Sequence, residues 1–335
     1  MNKLFLALIL LFFSFTGTIK GQDPHFSQYF SSPLTLNPAM AGYFKGDSRI
    51  STNFRQQWRS IGSPFITGTV SYDGKLLQNS IADNDILAIG VLGLFDESLG
   101  GGFKSINLGA SVAYHKALDA DGIHHIGAGF QFTYASRALN FNSLDFANQF
   151  TGSGFNTSLP SFETFGTTRQ SYFDINTGIL YNYKTENIEL YLGGSLYHVG
   201  RPNTSFLKNE KFRLPMRYTV HAGSRFAIGS SGELFVGGLY MEQAHASEKN
   251  VGIAYGLTLN DVAKVYAGSW YRFSDAIIPF VGFNYNSLQV GLSYDITNSS
   301  LRNYVSRSGS FEISMNLLIT RPRNVYTNYK GGRIF

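Results

Sequence analysis

Residues 311–320 read FEISMNLLIT, with Phe311, Ile313, Met315, Leu317 and Ile319 on one face of an extended chain. Glu312, Ser314, Asn316 and Thr320 fall on the other face, Leu318 being the exception. Side chains alternate across a strand, so such a segment has one dry and one wet neighbour. The same alternation recurs along most of the 335 residues. It predicts an all-β chain: a transmembrane antiparallel β-barrel of about fourteen strands in a bacterial outer membrane, lipid outside and a polar lumen inside. A soluble β-sandwich also alternates, but it needs fewer aromatics and rarely reaches this strand number as one unit.

The beginning of the chain reads as an export signal. Lys3 precedes an apolar run over 4–15, and 16–21 are mostly small and polar. A run of about 12 residues is short of the roughly 20 that span a bilayer as a helix. The expectation is therefore a signal peptide over 1–21, cut between Gly21 and Gln22. Beyond it no stretch is long and apolar enough for a membrane helix. A membrane chain without one must close its strands, because hydrocarbon offers the backbone no hydrogen-bond partner.

Composition agrees. Tyr (20) and Phe (29) are abundant, while charged residues are only 15%, below the roughly 25% of soluble domains. Many of the 36 glycines lie inside strand patterns, which suits a curved wall or a crowded lumen. Cysteine is absent, which removes disulfide frameworks and thiolate metal sites. Loss of Lys3 and Lys20 with the leader lowers the formal charge from +5 to +3, too weak and scattered for nucleic acid.

Four regions follow: the signal 1–21, an irregular segment 22–47 with Pro24, Pro33 and Pro38, a barrel 48–320, and a tail 321–335. Alternation places strands at 49–58, 65–75, 86–95, 103–116, 125–137, 171–184 and 188–199. The remainder are 216–227, 233–242, 251–258, 265–273, 278–285, 289–297 and 310–320. With a periplasmic N-terminus, the long connections 139–170, 201–213 and 298–309 lie outside, and short turns such as 185–187 lie inside. The connection 76–85 is long for a periplasmic turn.

Catalytic chemistry is missing from the pattern. The seven histidines are dispersed, no HExxH, GxSxG or Walker loop occurs, and Gly127–Gly129 lacks a strand–turn–helix context. Adjacent His124 and His125 point to opposite faces of a strand or sit in a turn, which disfavours a shared metal. Ser195 and His198 alone do not make a hydrolase. No enzyme, cofactor or metal is expected. Asp174, Glu189, Arg217, Arg225, Glu233 and Arg272 fall on strands whose polar faces point to a lumen. They either line a conduit or pair across the interior.

After the signal the residues become specific. Gln22-Asp-Pro-His-Phe-Ser-Gln28-Tyr is followed by Leu36-Asn37-Pro38-Ala-Met-Ala-Gly42 and by Phe54-Arg55-Gln56-Gln57-Trp58. Together with GLSYDI at 291–296 and GSFEIS at 309–314, they resemble the PorP/SprF family of Bacteroidetes outer-membrane proteins. The likeness covers essentially the whole mature chain. It implies a role in type IX secretion and gliding motility. Implied partners are type IX secretion components, the C-terminal domain of a large secreted adhesin, and a periplasmic peptidoglycan-binding lipoprotein. Members commonly end in a short cysteine-containing terminus, whereas this chain ends RPRNVYTNYKGGRIF.

Residues 22–42, with Gln28, Asn37, Pro38 and Gly42, read either as a plug or as a periplasmic docking segment. Arg55, Gln57 and Trp58 open the barrel, Trp58 as an interfacial anchor. The functional expectation is an outer-membrane barrel supporting secretion or surface attachment of a large adhesin, or acting with the core machinery. The alternative is a passive channel or hydrophobic-solute transporter.

Overall fold

The computed structural model describes residues 21–59, 62–78, 80–163, 167–207, 211–299 and 309–320. Residues 1–20 of the expected signal, the tail 321–335 and most of the connection 298–309 lie outside the described residues. Fourteen strands form: β1 (Ser48–Gln57), β2 (Phe65–Leu76), β3 (Ile86–Ser98), β4 (Phe103–Ala117), β5 (His124–Leu139), β6 (Arg169–Lys184) and β7 (Ile188–Tyr197). The second half is β8 (Arg217–Ile228), β9 (Gly232–Gln243), β10 (Ala246–Asn260), β11 (Ala263–Arg272), β12 (Ala276–Tyr285), β13 (Leu288–Thr297) and β14 (Gly309–Ile319).

Each strand pairs antiparallel with its sequence neighbours, and β1 closes on β14 from Ser48↔Ile319 to Gln57↔Ser310. Closure removes both sheet edges, so the backbone ladder needs no help from lipid. No helix among the described residues is long and apolar enough to cross a membrane. The alternation sets the two faces. On β5, Ile126, Phe130, Phe132 and Tyr134 are exposed outward, while His125, Gly127, Gly129 and Gln131 are buried inward. On β14, Phe311, Ile313 and Met315 face out, and Ser310, Glu312 and Ser314 face in.

The wall is uneven in height. Strands β4–β6 run to 15 or 16 residues, beyond the roughly 9–11 that cross a bilayer. Pro279 inside β12 has no N–H to donate, and the β12–β13 ladder lacks the pairs at Ile278 and Pro279.

Most strand ends agree with the alternation within three residues, but β10 does not. It begins at Ala246 rather than 251, because Glu248 and Asn250 point inward and are buried. A polar stretch reads as a loop only when water is the sole wet neighbour; here the lumen is another. The β9–β10 turn shrinks to Ala244-His245, both at positive φ (52° and 64°), as a two-residue hairpin requires. The β2–β3 connection does stay long. It leans on the β4–β5 turn, where Asn84 Nδ2 donates to Ala120 O (2.8 Å) and His125 Nε2 meets Asn84 O (2.8 Å).

Candidate functional site

Residues 22–47 do not extend away from the barrel; they descend through its lumen. Two 3-10 turns, Tyr29–Ser31 and Pro38–Met40, flank a single helical turn α1 (Pro33–Leu36). Pro33 and Pro38 open their turns at the position where a missing N–H costs nothing. Asn37 Oδ1 accepts from Ala39 N (2.8 Å), capping the second. Leu34, Asn37, Ala39 and Ala41 have no exposed surface. So short an irregular segment leaves backbone groups unpaired, and buried ones must find partners elsewhere. The wall supplies them. Leu34 O accepts from Tyr197 OH (3.0 Å) and Gln131 Nε2 (3.2 Å), Leu36 O from Ser195 Oγ (2.7 Å), and Thr35 O from Arg217 (3.0 Å).

The Asn37-Pro38 turn explains glycines placed inside strands. Asn37 Nδ2 donates to Ile179 O (2.9 Å) and lies 3.0 Å from His221 Nε2. A Cβ on Gly178 would overlap the Asn37 side chain, and one on Gly129 would overlap the Ala39 backbone. Bare backbone at these inward positions is what lets the turn seat against β5–β7.

Near the end bearing the long connections, charges hold the segment. Glu312 of β14 is fully buried, and its carboxylate accepts from the amides of Ser27 (2.7 Å) and Gln28 (2.9 Å). Gln28 also donates to Ser293 Oγ (3.0 Å) and accepts from Ser314 Oγ (2.7 Å). Asp295 receives Arg55 (2.8 Å), Arg272 (2.5 Å) and the Ser27 hydroxyl (2.8 Å). Arg55 also donates to His25 O (2.6 Å), and His25 meets Glu248 (2.7 Å).

At the mouth, Asp23 sits between His198 (2.6 Å) and Arg217 (3.3 Å), and His198 contacts Asp174 through its other nitrogen (2.7 Å). Burial opposes ionisation of both Asp23 and His198. The pairing outweighs it: His198 and Arg217 hold Asp23 well below the usual carboxylate range, and Asp23 with Asp174 lifts His198 to about 9.

The opposite end is held differently. Asp73 accepts Arg49 (2.9 Å) and the amide of Gly42 (2.8 Å), whose φ of +76° suits glycine. Tyr43 OH donates to Glu189 (2.9 Å); burial first, then Glu189, pushes its pKa up, so it remains a donor. The segment separates two chambers that share no lining residue. One of about 560 Å³ opens toward the long connections and contains Asp23, Asp96, Arg137, His198 and Arg217. The other, about 360 Å³, opens toward the short turns, where β1 begins and β14 ends, and is walled by aromatics, among them Phe30, Phe235, Trp270 and Phe280.

The six inward charges are all paired, in two groups. Asp174, Arg217 and Arg272 belong to the network on the segment. Glu189, Arg225 and Glu233 form a chain at the other rim, with Arg225 3.7 Å from Glu189 and 3.8 Å from Glu233, and Lys264 3.1 Å from Glu233. Gln57 ends β1, and Trp58 follows at φ +57° with its ring edge-on to Phe65 at 5.3 Å. Alternation does not single out Glu312, Asp295, Asp73 or Arg49. Their signal is an acidic or basic residue on the polar face of a barrel strand, which many residues share.

Ser195 and His198 are not arranged as nucleophile and base, since the hydroxyl bonds Leu36 O and both ring nitrogens face carboxylates. His125 is buried inward while His124 contacts Tyr181 OH (2.7 Å) on the other face. Among the described residues no cluster of potential metal ligands occurs.

Solved structures similar in fold include toluene transporters and a FadL homologue. The toluene transporter TbuX of Ralstonia pickettii matches with a TM-score of 0.50 at 10% identity, over 90% of this chain and 96% of that one. The P. putida toluene transporter TodX matches at 0.48 and 10% identity, over 85% and 93% of the two chains. A FadL homologue of Pseudomonas aeruginosa gives 0.48 and 11%, over 84% and 92%. At such identity the likeness is one of fold alone. No curated protein matches the chain. The family model described as type IX secretion system membrane protein PorP/SprF matches residues 18–317, so this outer-membrane barrel belongs to the PorP/SprF family and is associated with type IX secretion.

Proposed function

We propose that this barrel is a plugged platform for type IX secretion. It supports secretion or surface attachment of a large adhesin by engaging that client at the long-connection end, which faces outside. The supporting observation is an apolar surface beyond the barrel wall. In the 140–168 connection Phe150 and Phe155 are each 53% exposed and Phe162 78%, with Phe150 and Phe155 paired in a small bridge. Exposed aromatics clustered outside the lipid band suit a protein partner. The lumen, filled by 22–47, offers a polypeptide no evident path, so the client passes beside the barrel rather than through it. Type IX components, and a peptidoglycan-binding lipoprotein at the short-turn end, complete the proposed assembly. The signal is cut between Gly21 and Gln22, which N-terminal sequencing of the membrane protein checks.

Quantitative proteomics of surface and medium in a deletion strain tests the role. Loss of one large adhesin is the expected result, restored by the wild-type gene but not by a variant with Phe150, Phe155 and Phe162 changed to Ser. Loss of many clients identifies a core role instead. An unchanged surface and medium overturns the proposal. A second reading, passage of a hydrophobic solute, draws on the fold shared with TbuX and on the two chambers. It predicts solute flux through reconstituted barrels and an intact secretome on deletion.

A further inference from the structure

The chamber on the short-turn side of the plug has features that neither barrel closure nor plug anchoring requires. Its volume of about 360 Å³ lies within the roughly 300–1,000 Å³ of small-molecule sites. One wall is a continuous set of rings. Phe30 stacks on Trp270 at 4.9 Å, and Phe280 stands edge-on to both at 5.7 and 5.3 Å. Phe235 and Tyr266, in edge contact at 5.7 Å, continue it, and Tyr43 and Tyr191 form another pair at 5.9 Å. Interlocked rings of this kind keep their geometry when a guest enters, which lowers the ordering cost of binding.

The polar groups restrict the guest further. The charges lining the chamber are already paired, Arg225 with Glu189 and Arg49 with Asp73. An ionic guest would have to displace one of these partners, so the site selects against net charge. One buried polar atom in the walls has no partner: Asn316 Oδ1, an acceptor. An unsatisfied buried group favours a guest that completes it.

We propose that this chamber binds an uncharged small molecule with a ring-bearing apolar body and a hydroxyl-type donor, entering from the short-turn end of the barrel. The donor meets Asn316 Oδ1 while the body lies against Trp270. This goes beyond the secretion role and does not depend on the identity of the client.

The chain has only two tryptophans, one in the chamber and Trp58 at the other end of the barrel, which makes the test direct. The full-length protein carrying Trp58→Phe, in lipid nanodiscs, is titrated with 4-nitrobenzyl alcohol, a neutral ring with one hydroxyl whose nitro group quenches indole. The expected result is saturable quenching of Trp270, half complete at or below about 1 mM. In the Trp270→Phe protein, quenching of Trp58 rises without saturation. Asn316→Leu in the Trp58→Phe background raises the half-saturation concentration about fivefold, the worth of one neutral hydrogen bond. Unsaturable quenching of both tryptophans to the same degree overturns the site. Saturation indifferent to Asn316→Leu overturns the donor requirement.

Discussion

The two halves of the lumen use opposite chemistries on the same 22–47 segment. Toward the long connections, Asp23, Ser27 and Gln28 are fixed by carboxylates, guanidinium groups and an imidazole. Toward the short turns, Tyr29 and Phe30 pack on rings, and the rim charges mostly bind one another. The difference lies in what lines each chamber, since Asp73 and Arg49 also fix the segment at the short-turn end. Burying an ion costs several kcal/mol, so an arginine–carboxylate network in a lumen persists only if each member is completed. Glu312 is completed by amides of the plug, so wall and plug satisfy each other. Rings need no such completion, and they leave a space with a defined shape.

The strongest way to break the comparison is to remove one member of the charged half. Arg55→Ala leaves Asp295 and Glu312 buried with less compensation, a loss of about 3–5 kcal/mol in stability. Urea unfolding in lipid vesicles measures it, and rehydration of a displaced plug appears as higher single-channel conductance. Phe235→Leu in the aromatic half should change neither reading comparably.

Alkaline pH acts on the charged half through His198. His198 titrates at about 9 in the fold against roughly 6.5 unfolded. Its contribution is therefore complete below about 6.5 and is lost as pH rises through 9, on the order of 3 kcal/mol. Asp23 has the opposite sign: its contribution is present above about 4 and is lost as pH falls through its depressed value. A spin label on Gln22→Cys, in a chain with no other cysteine, should become mobile between pH 7 and 10. A label on Tyr43→Cys should not follow that transition. Equal mobility changes at both sites would abolish the distinction between the halves.

The seat between the two halves is steric rather than electrostatic. Gly178→Ala forces Asn37 out of its place, for a loss of about 1–3 kcal/mol in urea. Gly194→Ala has only ordinary contacts around its Cβ position and should be near neutral. The smallest effect is expected at the inner rim. Tyr43→Phe removes one hydrogen bond to Glu189 and should lower stability by about 1 kcal/mol, independent of pH between 7 and 9.

Much of the wall was legible from sequence because a strand between lipid and lumen obeys a local rule. The pattern of β14 is the pattern of its two neighbours, and Phe311, Ile313 and Met315 face outward as written. The rule fails where inward charge is unusually dense, as at Glu248 and Asn250, since a polar run has the same appearance beside water and beside a filled lumen. It also cannot separate the two uses of inward charge. Arg225 and Arg272 stand at equivalent polar positions, yet one joins the rim and the other holds the plug.

By itself, then, the chain determined the barrel, its outward face, its strand number and its family, because these depend on period-two alternation and on motifs contiguous in sequence. Only the tertiary structure decided the direction in which 22–47 threads the lumen, the partners of Glu312, Asp295 and Asp23, and the division into a charged and an aromatic chamber. Those arrangements join residues as much as 286 positions apart, such as Ser314 with Gln28. Contacts at that separation come from closing fourteen strands into a ring around a segment that no local preference could orient.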